Sequence, residues 1–191
     1  ETQPETHPGI RPASAERHRE MNGLRSEALS PSHDRGGFSC GVAALNDYLQ
    51  RQASQDMRRH VAAVFVMVRE DQPQTILGYY TLASYAVETS GLPDETAKKL
   101  PRYPTTPATL IGRLARAVDC PGMGSLLLAD ALGRILANTQ QVASALVVVD
   151  AKDDIASDFY RKHGFNPFGG SARKLFLPMK TIAEAARQSA R

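Results

Sequence analysis

The chain has 191 residues and a formal net charge of +3, with 42% hydrophobic and 23% charged residues. That is the length of one well-packed domain, too short for two ordinary ones, and the balance is that of a soluble globular protein. No run approaches the roughly 18 apolar residues of a membrane helix; the only cysteines, Cys40 and Cys120, make no disulfide framework and fit a reducing cytoplasm, and no Cys/His spacing suits a metal.

In chain order, residues 1–27 are polar and broken by proline, without apolar periodicity, so a disordered N-terminal extension is expected there. An ordered domain is expected over 28–180. Its first helix is FSCGVAALNDYLQRQASQDM, which puts Val42, Leu45, Tyr48 and Leu49 on one stripe. AAVFVMVRE and TILGYYTLASYAVET read as two strands by their β-branched and aromatic content, joined through DQPQ as a hairpin. GLPDETAKKLPRYPTTP is a polar, proline-broken connection. ATLIGRLARAV then reads as a strand, GMGSLLLADALGRILANT as an amphipathic helix and ASALVVVDA as a buried strand. DDIASDFYRKHGF is a helix opened by aspartates and stopped by Gly164. RKLFLPM is the last strand, and residues 181–191 form a helical tail. Helices alternating with strands after a meander predict a single mixed α/β (α+β) domain with helices covering the sheet.

DCPGMGSL, residues 119–126, joins a strand to a helix and carries Gly122 and Gly124. A helix head presents unpaired amides and a positive dipole end, and glycines let a ligand approach the backbone. The loop suits a phosphate, or is a tight turn. It is not a Walker loop, because no Gly-Lys-Ser/Thr follows, and it lacks the third glycine of the dinucleotide fingerprint.

FSCGVAALNDYL, GYYTLA, IGRLA with GMGSLLLADAL, and DFYRKHGF fall in an order that resembles the GNAT superfamily of N-acetyltransferases. More narrowly the chain resembles the aminoacyl-tRNA-acetylating toxins of type II toxin–antitoxin pairs, from about Leu29 to Met179. DFYRKHGF and GYYTLA are the more specific pieces. The resemblance implies a mixed, mostly antiparallel sheet flanked by helices and splayed where acetyl-CoA enters. It implies that the pantetheine arm runs along Leu114, Ala115, Arg116 and Ala117, that the pyrophosphate lies on Gly122, Met123, Gly124 and Ser125, and that Phe159 borders the cofactor. It implies an aminoacyl-tRNA substrate, a ribbon-helix-helix antitoxin and a homodimer in the cytoplasm. The loop departs from the family. Aligning Gly122 and Gly124 with the family's GxG puts Asp119 where Gln or Arg is usual, and the loop is shorter. A carboxylate there repels a pyrophosphate, and Arg116 compensates only if it swings round.

The resemblance assigns Tyr160 the catalytic place beside the cofactor sulfur. A tyrosine of ordinary pKa, about 10, is protonated at pH 7, as a general acid must be. The competing reading is an aromatic packed under the sheet. Phe159 and Phe165 are the better core candidates, leaving Tyr160 to face the cleft. Asp130, Asp150, Asp153 and Asp154 read as caps or surface charges, so no general base stands out. An α-amine titrating at about 7.7–8.0 needs one less than a lysine at about 10.4. Backbone amides of the strand ending RLARA could polarise the thioester oxygen. Arg58 and Arg59, beside Arg51 and His60, and Lys99 and Arg102, beside Lys98, are solvated faces or contacts to tRNA phosphates. His33 and His163 read as surface or capping residues, and Cys120 has no base to make it a nucleophile. Two other functions remain open: acetylation of protein or small-molecule amines, and a non-catalytic binding module with a degenerate cofactor loop.

Overall fold

Strands dominate the chain's long-range order. The structure, a computed structural model, describes residues 23–189; the disorder expected of residues 1–22 lies outside the described residues. The strands are β1 (Leu24–Ala28), β2 (Ala63–Arg69), β3 (Gly78–Glu88), β4 (Thr105–Arg116), β5 (Leu146–Asp150), β6 (Asn166–Pro167) and β7 (Lys174–Pro178). They form one sheet in the order β1-β2-β3-β4-β5-β7-β6. Among the described residues every pairing is antiparallel except β4 with β5. The expected mixed, mostly antiparallel sheet is the one observed.

β1 corrects the reading of residues 1–27 as disordered: Leu24 to Ala28 pair with Arg69 to Phe65 of β2. Its LRSEA sequence has little apolar signal, because backbone pairing and polar anchors hold it. Ser26 Oγ donates to Asp130 at 2.5 Å, and Glu27 lies 3.0 Å from His33 Nε2. His33 is thus buried rather than on the surface, at 5% exposure. Its Nδ1 accepts the Ser30 amide, which leaves Nε2 to carry the proton towards Glu27.

The first helical region is α1 (Ala43–Asp47), a π-helical turn over Tyr48–Gln52, and α2 (Ala53–Arg58). The Leu45 carbonyl accepts the Tyr79 hydroxyl at 2.8 Å, a side chain set into the helical ladder where the path widens. Tyr48, Leu49 and Ala53 are buried against the sheet, while Val42 and Leu45 are less buried. The proline-broken connection folds a short helix, α3 (Asp94–Ala97), and buries Leu92 over Val87, Ala108 and Phe176.

α4 (Met123–Asn138), α5 (Asp154–Lys162) and α6 (Met179–Ser189) follow. α6 begins directly after β7, before the expected Thr181. These helices cover the face opposite α1 and α2. Leu127, Leu128, Ala131, Ile135, Tyr160 and Ile182 pack there on Tyr80, Ile111, Val147 and Val149. Asp153 caps α5 by accepting the Ala156 amide at 2.8 Å, and Gly164, with φ +87°, ends the turn after it.

Candidate functional site

The sheet opens at β4. Ala108 to Ile111 pair with Leu146 to Val149 of β5, but β4 runs on to Arg116 while β5 stops at Asp150. One edge of β4 therefore has no neighbouring strand from Gly112 to Arg116. A β-bulge marks the start of this stretch: Thr81 pairs with Arg113 and Leu82 with Ile111, leaving Gly112 as the extra residue. The extra residue reverses the alternation. Ile111 faces the α4 side, whereas Ala115 lies in the core beneath α1 and α2.

A cavity of about 240 Å³ lies beside the open edge, lined by Leu114, Ala115, Arg116 and Val118 with Val42, Leu45 and Lys152. Ala115 and Ala117 are buried, and the amide and carbonyl of Ala117 are already bonded within the protein. Lys152 was missed in the sequence. It follows the C-terminal end of a buried parallel strand, where open α/β sheets bind ligands, and that was its signal.

The loop after β4 is tied down from several sides. The Ala117 amide donates to the Leu77 carbonyl and the Val118 amide to the Ser39 carbonyl. Arg116 does not swing towards the helix head; its Nη1 donates to the carbonyls of Ala117 (2.9 Å) and Val118 (3.1 Å). Asp119 is exposed. It does not cap α4 either, because the N-cap is Gly122, at φ +83°, and no side chain caps the helix. Long backbone bonds engage two amides at the head of α4, Met123 to the Cys120 carbonyl (3.4 Å) and Ser125 to the Gly122 carbonyl (3.3 Å), and the Gly124 amide is left to a ligand or water.

Gly124 lies where the two helices meet. A Cβ there would sit 3.6 Å from the Phe159 ring, so α5 packs on the bare first turn of α4. Met123 is buried at 8% exposure and Ser125 is exposed. Phe159 is half-buried, and its ring centroid lies 5.2 Å from that of Tyr160 and 4.5 Å from that of His163. His163 joins the two helices: Nδ1 is 2.8 Å from the Phe159 carbonyl, and Nε2 is 3.0 Å from Ser125 Oγ.

The Tyr160 ring is packed, at 7% exposure. Against expectation it is more buried than Phe159, because it points between Phe159 and Phe165 into the core under α4. Burial pushes its hydroxyl up to about 12. That hydroxyl has no protein partner among the described residues. No side-chain oxygen or nitrogen described there is both sealed and unpartnered, so the hydroxyl keeps a route to solvent.

None of Asp130, Asp150, Asp153 and Asp154 borders the cavity. Asp130 instead accepts from Ser26 and Tyr80 and pairs with Arg134. The Cys120 thiol is pushed up by burial and by Asp119, which keeps it protonated and unreactive. Arg58, Arg59, Lys99 and Arg102 are exposed and away from this cavity; Arg102 borders an open depression with Glu88 and Tyr103.

No protein-family model matches the chain. A protein named tRNA-acetylating toxin, from Mycobacterium tuberculosis (strain ATCC 25618 / H37Rv), is 30% identical over 154 residues, covering 80% of this chain and 90% of that protein. AtaT complexed with acetyl-methionyl-tRNAfMet matches with a TM-score of 0.79 at 30% identity, over 85% of this chain and 99% of that one. A tyrosine-to-phenylalanine variant of AtaT, bound to the C-terminus of the antitoxin AtaR and to acetyl-CoA, matches with a TM-score of 0.72 at 25% identity, over 86% and 99%. No helix among the described residues is long and apolar enough to cross a membrane. With its sheet opened at β4 beside an uncapped helix head, the chain belongs to the family of GNAT-fold, tRNA-acetylating toxins.

Proposed function

We propose that the protein is an acetyl-CoA-dependent N-acetyltransferase that acetylates the α-amino group of the amino acid on a charged tRNA, and so acts as a toxin that stops translation. The observation that carries this is the meeting of β4's free edge, from Gly112 to Arg116, with the uncapped head of α4. A thin polar arm fits beside a strand edge as an extra strand would, and a diphosphate fits a helix head that no side chain caps. A Cβ on Gly122 would meet nothing within 4 Å, so the approach to that head is open.

Acetyl-CoA, when bound, supplies the acetyl group as a thioester. Leu114 to Arg116 would hold the arm by backbone and Gly122 to Ser125 the diphosphate, with Phe159 closing the side. Amides on the unpaired edge of β4 would stabilise negative charge on the thioester oxygen. The Tyr160 hydroxyl, protonated throughout the neutral range, holds the proton that the departing sulfur requires. No carboxylate borders the cavity to take a proton from the acceptor. That favours an α-amine, about 7.7–8.0 in its ordinary titration, over a lysine at about 10.4.

Arg58, Arg59, Lys99 and Arg102 would meet tRNA phosphates from outside the cavity. The same reading places the protein in the cytoplasm with its substrate, as a homodimer held in check by a ribbon-helix-helix antitoxin, its acetyltransferase unit running from β1 to β7. The relatives that carry tRNA, acetyl-CoA and an antitoxin support it. The test is transfer of labelled acetyl from acetyl-CoA to charged tRNA, uncharged tRNA and a lysine-bearing peptide. Label should enter charged tRNA alone; label in the peptide with none in charged tRNA would overturn the reading.

A further inference from the structure

The sequence of the loop poses an electrostatic problem that α5 is placed to answer. Asp119 brings a negative charge towards the diphosphate, and the guanidinium of Arg116 is spent on the carbonyls of Ala117 and Val118. The first turn of α4 carries no acidic residue, and the side chains of Met123, Gly124, Ser125 and Leu126 bear no charge. A cationic partner for the diphosphate has to come from another element.

His163 reaches that place from α5. The Phe159 carbonyl can only accept, so Nδ1 carries a hydrogen and donates to it at 2.8 Å. Nε2 is then the nitrogen that changes state, and it faces Ser125 Oγ at 3.0 Å in the first turn of α4. With Nε2 bare, the ring accepts the serine hydrogen and Ser125 has nothing to give a ligand. With Nε2 protonated, the ring donates to Ser125 Oγ and the serine hydrogen turns outward. Contact with the Phe159 ring and the bond to its carbonyl hold the imidazole at this spot in either state. His163 is also the C-cap of α5, where the dipole of its own helix favours positive charge.

We propose that His163 is a diphosphate-positioning residue: protonated, it donates to Ser125 and frees the Ser125 hydroxyl to donate to the diphosphate of acetyl-CoA at the head of α4. This rests on the acetyl-CoA reading above. Binding of the cofactor then takes up a proton, and affinity rises as pH falls through the range in which histidines charge, about pH 8 to 5. The elements that meet at the ring carry Asp119 and Arg116 on the loop and Asp158, Arg161 and Lys162 on α5, and none of these pairs with His163 among the described residues. Lys174 of β7 is committed to the Tyr85 hydroxyl. An arriving diphosphate favours the charged ring.

The test is calorimetric titration of the full chain with acetyl-dephospho-CoA, which keeps the diphosphate and lacks the 3′-phosphate that itself titrates near pH 6. Titrations at pH 6, 7 and 8 in buffers of different ionisation heat give the protons taken up per binding event. For the wild type, net proton uptake at pH 7 and affinity about tenfold higher at pH 6 than at pH 8 are expected, the size of one charge-assisted hydrogen bond in a wet site. His163→Gln keeps a polar group of similar reach and should bind without proton uptake and without the pH slope. Ser125→Ala, at an exposed position, should lose both in the same way. Equal uptake and equal slope in the variants would overturn the proposal while leaving the cofactor reading intact. No binding by the wild type at any pH would overturn the cofactor reading first.

Discussion

At the residue scale, Tyr160 and Asp119 show how position redefines a side chain. Tyr160 is a core aromatic by its ring and a free proton donor by its hydroxyl. Tyr160→Phe should therefore keep the melting temperature and the acetyl-CoA affinity while transfer to charged tRNA falls by about 10²–10⁴-fold. Steady-state rates beside melting curves check this, and a full rate in the variant would remove the assignment. For Asp119 the structure takes away the competing role of a helix cap. Asp119→Asn should leave stability unchanged and tighten acetyl-CoA binding by roughly tenfold or less, with a gain that shrinks as salt rises. Titrations at low and high salt read it directly. Unchanged or weaker binding would mean that this carboxylate faces away from the diphosphate.

At the element scale, α4 and β1 carry the clearest consequences. α4 lies so close on the sheet that a Cβ at Gly78 of β3 would come within 2.5 Å of Leu127 Cδ1 and 3.0 Å of the Ala115 carbonyl oxygen. Gly78→Ala should cost about 1–3 kcal/mol of overpacking, at about 2–4 °C per kcal/mol in a chain of this size. A melting temperature equal to wild type would show that α4 can slide off β3. β1 is held by polar contacts that the sequence did not advertise. The hydrogen bond from His33 is the main reason that the Glu27 carboxyl sits below its usual 4.5, with Arg25 adding to it. A carboxyl lowered by folding stabilises the fold above its ordinary value, and that contribution is lost as pH falls through the folded one. Glu27→Gln should thus flatten the fall of melting temperature below about pH 4.5. An unchanged profile from pH 3 to 7 would show that Glu27 does not anchor β1.

At the scale of the whole molecule, a net charge of +3 is too small by itself to mark a nucleic-acid binder. Its distribution matters more. Arg58 and Arg59 close α2 in the open, with no ion-pair partner among the described residues. The double change Arg58→Glu and Arg59→Glu should raise KM for charged tRNA. It should also lower the salt slope of tRNA binding by about one unit for each phosphate that is no longer neutralised. Acetyl-CoA affinity should not move, since neither side chain borders the cavity. Filter binding across a salt series, with calorimetry for the cofactor, separates the two effects.

The alternation of β-branched runs and amphipathic helices determined the order of the long elements from β2 to α6, though not the short α3 and β6, without reference to any contact, because those periods are set by local backbone geometry. Gly164 and the aspartates before α5 were legible for the same reason: caps and left-handed stops are local chemistry. DFYRKHGF around Tyr160 and GYYTLA in β3 carried the family most specifically. β1 escaped because LRSEA has no apolar face of its own and becomes a strand only when β2 is there to pair with it. The bulge at Gly112 escaped because a single extra residue leaves no mark on hydrophobic pattern, yet it turns Arg113 onto the Tyr48 ring at 3.5 Å and opens the edge of β4. The contact of His163 with Ser125 spans 38 residues. Only the packing of α5 on the bare first turn of α4 brings those two side chains together, and no local rule relates them.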